Sequence, residues 1–211
     1  MTDAPLPTGA STRDRLLAAA ERLFLSKGVD KVSVRAINAE AGLNPGAVHY
    51  HFGSREGLVA ALLERELLPF WQGRLEEVAR RSPADASGRS SLDVRSVVAA
   101  VVEPFAELVR TEHGRMLCRL LAQTHLAADR PLTNSPWWGT APFEVILGRL
   151  LPDLPVREIA DRWRLAFTML LEVYGRPLAS GGVLATRPAV PQVETVVSFI
   201  TAGLLAPPVA T

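Results

Sequence analysis

The side chains best suited to chemistry in this chain are His49, Tyr50 and His51. They close the run Ala41-Gly42-Leu43-Asn44-Pro45-Gly46-Ala47-Val48-His49-Tyr50-His51-Phe52. Imidazole and phenol groups donate and accept hydrogen bonds, so they suit polar edges and phosphate oxygens. The residues before them read as a tight turn and a very short helix. Gly42 fits the left-handed conformation of a sharp inter-helix turn, because it has no Cβ. Asn44 is a strong N-cap, and Pro45 fits the first helical position, where its missing N–H costs nothing. A short helix entered through a glycine turn is the geometry of a helix-turn-helix, whose second helix lies in a DNA major groove. The same spacing occurs in ordinary three-helix caps, and spacing alone leaves both open.

Catalytic constellations are missing from the rest of the sequence. His113 and His125 lie far apart, whereas two helical histidines on one metal sit about three to five residues apart. Cys118 falls on an apolar helix face among Met116, Leu117, Leu120 and Leu121, which suits burial better than nucleophilic attack. There is no nucleophile elbow, phosphate-cradling glycine loop or dinucleotide fingerprint. No enzymatic activity, cofactor or metal is expected.

The elements that position the His-Tyr-His run are legible upstream. Ser11 or Thr12 can cap a helix to about Lys27, with Asp14 in its first turn and Gly28 ending it. Leu16, Ala20, Leu23 and Phe24 share one face of it. Ser33 caps a second helix with Val34, Ile37 and Ala41 inside. Leu43 and Val48 close the core, with Phe52 beneath. Three short helices around one small core are therefore expected.

The segment from Arg13 to Leu58 resembles the N-terminal domain of the TetR family of bacterial transcriptional repressors. The residues that carry the resemblance are Ala19, Phe24, Gly28, Ser33, Val34, Arg35, Ile37, Ala41, Gly42, Gly46, Tyr50, His51, Phe52, Ser54, Arg55 and Leu58. The run Tyr50-His51-Phe52-Gly53-Ser54-Arg55-Glu56 is its most specific part. Asn38 departs from the pattern, which usually has a small apolar residue there, and that weighs against close packing of the second helix. The resemblance implies phosphate contacts from Ser33, Arg35, Tyr50, His51, Ser54 and Arg55, and base contacts from Pro45, Gly46, Ala47 and His49. Asn44 caps or reaches a base or phosphate, and only His49 can hydrogen-bond a base edge. A solvated surface histidine is the alternative for His49. Arg13 and Arg15 read as solvated charges in preference to groove contacts.

Composition agrees with a helical regulator. Of 211 residues, 48% are apolar, enough for a small head and a larger core. No apolar run is long enough to span a membrane, and the first residues do not form a secretory signal. One cysteine fits a reducing cytoplasm, the expected location. A net charge of +1 is a weak electrostatic footprint for a DNA binder.

An all-α fold follows: a DNA-binding domain over 1–53, with 1–11 a mobile tail, and a ligand-binding and dimerisation domain over 54–211. Ser54 caps a long helix to about Arg81, kinked or broken at Pro69. Further helices are expected over 92–110, 114–126, 142–151, 156–177 and 191–205, with loops over 82–91, 129–141 and 177–191 and a frayed tail after Leu205. Trp163, Phe167, Leu170 and Tyr174, with Val193, Val197, Ile200 and Leu204, spread over more than one face of the last two helices. The resemblance implies a homodimer held there, which would present two recognition helices to a palindromic or near-palindromic DNA operator. It also implies a small effector of mostly apolar character among Phe70, Trp71, Phe105, Leu108, Met116, Leu120, Trp137, Trp138, Phe143 and Met169, each of which is otherwise ordinary core. No membrane partner is expected. The competing function is a helical small-molecule carrier or interaction scaffold with a non-functional head.

Overall fold

Ser11 sets the start of the first helix, α1 (Thr12–Lys27). Its hydroxyl accepts the Asp14 N–H at 3.1 Å while the Asp14 carboxylate accepts the Ser11 N–H, a reciprocal capping box. The Gly28 N–H closes the helix on the Phe24 carbonyl at 3.0 Å. A single 3-10 turn, Val29–Lys31, follows and was not anticipated. Ser33 then caps α2 (Val34–Glu40), its hydroxyl accepting the Ala36 N–H at 3.2 Å. α3 (Ala47–Phe52) and α4 (Arg55–Arg81) complete the N-terminal part. The computed structural model describes residues 11–81, 92–126, 141–175 and 190–208; among them every regular element is helical.

Two compact units divide the chain, Met1–Arg65 and Glu66–Thr211, so the division falls inside α4 rather than at the expected 53/54. In the first unit Leu16, Ala20, Leu23, Phe24, Ile37, Ala41 and Val48 are buried, whereas Val34, Leu43 and Phe52 remain partly open.

The turn between α2 and α3 is held by Asn38, which is 1% exposed. Its side-chain amide donates to the Pro45 carbonyl at 2.5 Å and its Oδ1 accepts the Val48 N–H at 3.1 Å. These partners fix the orientation of the amide, since a carbonyl only accepts and a backbone N–H only donates. The Asn38 backbone carbonyl also accepts the Leu43 N–H at 2.9 Å. The expectation that Asn38 loosens the packing of α2 is therefore corrected: a small apolar residue there would leave the Val48 N–H without this acceptor.

Two related expectations change with it. Asn44 does not cap α3, and Pro45 is not its first helical residue. Both lie in the turn, the Asn44 carbonyl accepts the Ala47 N–H at 3.0 Å, and Gly46 stands at the N-cap without a side-chain bond. Gly42 has φ +64°, the left-handed conformation the turn requires.

The second unit contains the rest of α4 and α5 (Val94–Leu108), α6 (Glu112–Leu126), α7 (Ala141–Leu150), α8 (Val156–Gly175) and α9 (Val193–Leu204). α4 is continuous through Pro69, so no break occurs there. A proline deletes one donor from the ladder, and the buried Leu62, Leu63 and Leu67 outweigh that loss. Asp93 caps α5 by accepting the Ser96 N–H at 2.7 Å, and the hydrogen bonds from Ser96 hold its carboxyl below the ordinary aspartate range. This local signal was missed. α6 packs on α5 and α8, α7 on α8, and α9 on α5 and α8. Gly175 permits the closest approach of α8 to α6: a Cβ there would lie 2.3 Å from the Ala122 Cβ. Cys118 is buried, and burial pushes its thiol up to about 12.

Arg162 closes the end of α9. Its guanidinium donates to the carbonyls of Leu204 at 2.9 Å, Ala206 at 2.6 Å and Pro207 at 2.7 Å, and pairs with Glu158 at 2.5 Å. The last carbonyls of a helix lack intrahelical donors, and a cation there also meets the negative end of the helix dipole. The tail is thus held as far as Pro207, not frayed from Leu205.

Asn38→Ala should lower the stability of the first unit by about 1–3 kcal/mol, the cost of leaving a buried N–H unsatisfied. A urea midpoint equal to that of the wild type would contradict the clamp. Arg162→Ala should speed amide exchange at Leu204 and Leu205 while α1 keeps its protection. Unchanged exchange at those two amides would show that the carbonyl bonds contribute nothing.

Candidate nucleic-acid interface

The α2–α3 clamp leaves the outer face of α3 free. Tyr50 is 86% exposed, its ring edge-on to His51 with centroids 5.0 Å apart. His49 is also exposed, and its Nδ1 lies 3.0 Å from the Gly53 carbonyl oxygen. A carbonyl can only accept, so Nδ1 carries the proton. The Nε2 of the neutral ring is then a hydrogen-bond acceptor. Asn44, Pro45 and Gly46 are exposed beside it, and Ala47 and His51 are half-buried. One surface thus gathers a turn of small residues, an imidazole acceptor and a phenol.

Ser33 and Ser54 are occupied as caps. Ser54 accepts the Gly57 N–H at 3.0 Å. The backbone N–H of Glu56 and the Ser54 hydroxyl together hold the Glu56 carboxyl below its usual range. Both serines can still accept a further bond, because a hydroxyl has two lone pairs.

The arginines are placed differently from expectation. Arg13 and Arg15 are not free solvated charges. Arg13 donates to the His51 carbonyl at 3.0 Å and lies 4.4 Å above the Phe52 ring. Arg15 donates to the Ala41 carbonyl at 2.8 Å, at the end of α2. Arg55 donates to the Val29 carbonyl at 2.9 Å and lies near Phe24, so this guanidinium is engaged inside the unit rather than held out for a phosphate. Arg22 pairs with Glu40 and Arg65 with Glu21. Among the described arginines of the first unit, Arg35 alone has no hydrogen bond or ion pair within the chain.

In the second unit, the residues expected to line a ligand site divide. Trp71 and Phe105 meet edge to face at 5.0 Å, and the Trp71 Nε1–H donates to the Val101 carbonyl at 3.3 Å. Leu108, Met116 and Leu120 are buried and Met169 is half-buried. Phe70 is exposed, so it does not line the interior. Phe143 stacks on Trp163 at 4.8 Å. Trp137 and Trp138 lie outside the described residues. The residues that join Trp71 and Phe105 are Tyr174, stacked on Phe105 at 5.5 Å, and Phe167, 6.4 Å from Phe105 and edge-on to His125 at 5.1 Å. Only their spacing of one heptad on α8 hints at this in the sequence, and that spacing equally suits an interface.

The residues expected to hold a dimer divide as well. Trp163, Leu170, Tyr174, Val197, Ile200 and Leu204 are buried in the chain's own core, and Phe167 and Val193 are half-buried. A side chain already packed inside its own subunit offers no area to a second copy. The large apolar groups left exposed on α8 and α9 are Val156, at 77% at the start of α8, Leu165, at 70%, and Phe199, at 68%.

Comparison with known proteins gives the family. Residues 16–62 match the family described as bacterial regulatory proteins, tetR family. The HTH-type transcriptional regulator UidR of Escherichia coli is 30% identical over 163 residues, covering 71% of this chain and 81% of that protein. The HTH-type transcriptional repressor KstR2 of Rhodococcus jostii is 29% identical over 160 residues, covering 72% and 73%. Among solved structures, NalD of Pseudomonas aeruginosa superposes with a TM-score of 0.54 at 20% identity, covering 92% of this chain and 94% of that one. These relatives are transcriptional regulators, and regulators of this family bind operator DNA and small-molecule effectors as dimers. With a helix-turn-helix in its first unit, a larger helical second unit and this similarity along most of its length, the chain belongs to the tetR family of bacterial regulatory proteins.

Proposed function

We propose that the chain is a homodimeric repressor that binds a palindromic or near-palindromic operator and is released from it by a small, mostly apolar effector. The observation that carries this is the exposed pair His49 and Tyr50 on a helix held by a buried amide clamp. Ordering entropy of the contact surface is then lost on folding instead of on DNA binding. Several relatives with repressor names support the sense of regulation.

His49 reads a base through Nε2 as an acceptor. In the major groove, its partners are the exocyclic amines of adenine and cytosine, not the N7 and O6 acceptors of guanine. Pro45 and Ala47 suit thymine methyl groups. Tyr50 donates to a phosphate. With Arg13, Arg15 and Arg55 engaged on carbonyls, Arg35 supplies the free guanidinium of each head. Ser33, Ser54 and His51 add hydrogen bonds to the backbone of the duplex. The dimer forms through the exposed faces of α8 and α9 around Leu165 and Phe199.

Selection from random duplexes should return an inverted repeat with adenine or cytosine at one position of each half-site. His49→Ala should erase the preference there. The logarithm of affinity should fall with the logarithm of salt concentration at a slope of about −2 for two heads, and Arg35→Ala should flatten it while Arg13→Ala does not. A slope equally flattened by Arg13→Ala would mean that Arg13 leaves its carbonyl for a phosphate. Failure to enrich any duplex would favour the carrier function.

Phe199→Glu should convert dimer to soluble monomer, since it places a charge in the interface without disturbing the chain's own core. Sedimentation that gives the same mass for this variant as for the wild-type dimer would move the interface elsewhere.

A further inference from the structure

Resting on the assignment of the second unit as the effector-binding part, the aromatic cluster there defines the chemistry of its ligand. Phe105 and Tyr174 are buried, at 1% and 4% exposure. Trp71, Phe167 and His125 touch them in series and keep accessible surface. Exposure thus rises along the cluster, from buried Phe105 and Tyr174 to half-buried Trp71, Phe167 and His125. The Tyr174 hydroxyl, at the buried end, has no hydrogen-bond partner. A buried hydroxyl without a partner is costly, and few native proteins leave one so unless a water or ligand completes it.

The groups of the cluster are neutral near pH 7. Burial lowers the His125 pKa and so favours its uncharged ring. Burial, with the nearby Cys118 as a smaller cause, raises that of Tyr174, so the phenol keeps its proton and remains a donor. An anion would meet no compensating charge among these five side chains. A ring-bearing ligand can place its faces and edges against Trp71, Phe105 and Phe167.

We propose that this cluster binds an uncharged aromatic ligand bearing a hydrogen-bond-accepting oxygen, with that oxygen held by the Tyr174 hydroxyl. The class includes aryl ketones and neutral aryl esters and excludes carboxylates and plain hydrocarbons. Binding of such a ligand would give the Tyr174 hydroxyl the acceptor it lacks.

Three probes of nearly equal size test this: 2-acetylnaphthalene, 2-ethylnaphthalene and 2-naphthoate, each titrated calorimetrically into the full-length protein and its Tyr174→Phe variant. The wild type should bind the ketone about tenfold more tightly than the ethyl analogue, the worth of one hydrogen bond made in a buried site. The carboxylate should bind more weakly than the ketone. Tyr174→Phe should bring the ketone down to the level of the hydrocarbon and leave the thermal midpoint of the free protein unchanged or raised, because the hydroxyl it removes has no partner. Equal affinity for ketone and hydrocarbon, preference for the carboxylate, binding of none of the three, or a destabilised Tyr174→Phe variant would each overturn the proposal. Operator binding measured on the same preparation separates the two levels. Loss of ketone preference with DNA binding intact overturns the ligand class alone, whereas a wild type that binds ketone but no duplex overturns the regulator assignment.

Discussion

Everything the head can do depends on the Asn38 amide. α3 is six residues long, too short to be stable as an isolated helix, and its N-cap supplies no side-chain acceptor. Asn38 replaces that cap from the neighbouring helix. One oxygen meets the Val48 N–H, one nitrogen meets the Pro45 carbonyl, and the turn between them has no room to slide. The bond to the Val48 N–H is buried, so losing its acceptor costs more than losing an exposed cap would. The exposed face of α3 inherits this rigidity. His49 and Tyr50 can be presented to solvent because the opposite side of the same turn is locked.

The arginines repeat the same principle with charge. Short helices end in carbonyls that lack donors, and a small head has many ends for its size. Arg13 and Arg15 meet such ends of α3 and α2, and Arg55 meets the carbonyl that opens the 3-10 turn. Their aliphatic stems and flat guanidinium groups also cover ring faces, as Arg13 does over Phe52. The net charge of the whole chain is only +1, and in the head several cations already have carboxylate or carbonyl partners.

In the second unit, the apolar excess of α8 and α9 serves two layers at once. The inner stripe, from Trp163 through Leu170 to Tyr174, fills the core against α6 and α7. Val197, Ile200 and Leu204 do so against α5. The outer groups, Val156, Leu165 and Phe199, are left exposed on these two helices. Both layers are apolar, so hydrophobicity alone could not sort them. The end of α9 is fixed by Arg162, which ties its last carbonyls to the neighbouring helix.

Local signals determined the helical class, most helix limits and the turn. Ser11 with Asp14, Ser33 with Ala36 and Gly42 act over three residues or fewer, so their physics is written in adjacent letters. Asp93 with Ser96 belongs to the same kind and was legible, though unread. Asn38 was legible only as an exception to a pattern; its two partners lie seven and ten positions away, across a turn. Arg13 reaches a carbonyl 38 positions on, and the Trp71 indole one 30 positions on. No periodicity encodes such pairings, because they depend on how helices cross once packed. Tertiary structure alone decided which arginines are engaged, which aromatics meet Tyr174, and which face of α8 and α9 is left to solvent. Packing assigns each side chain a neighbour, and an unassigned chain holds only the preference for having one.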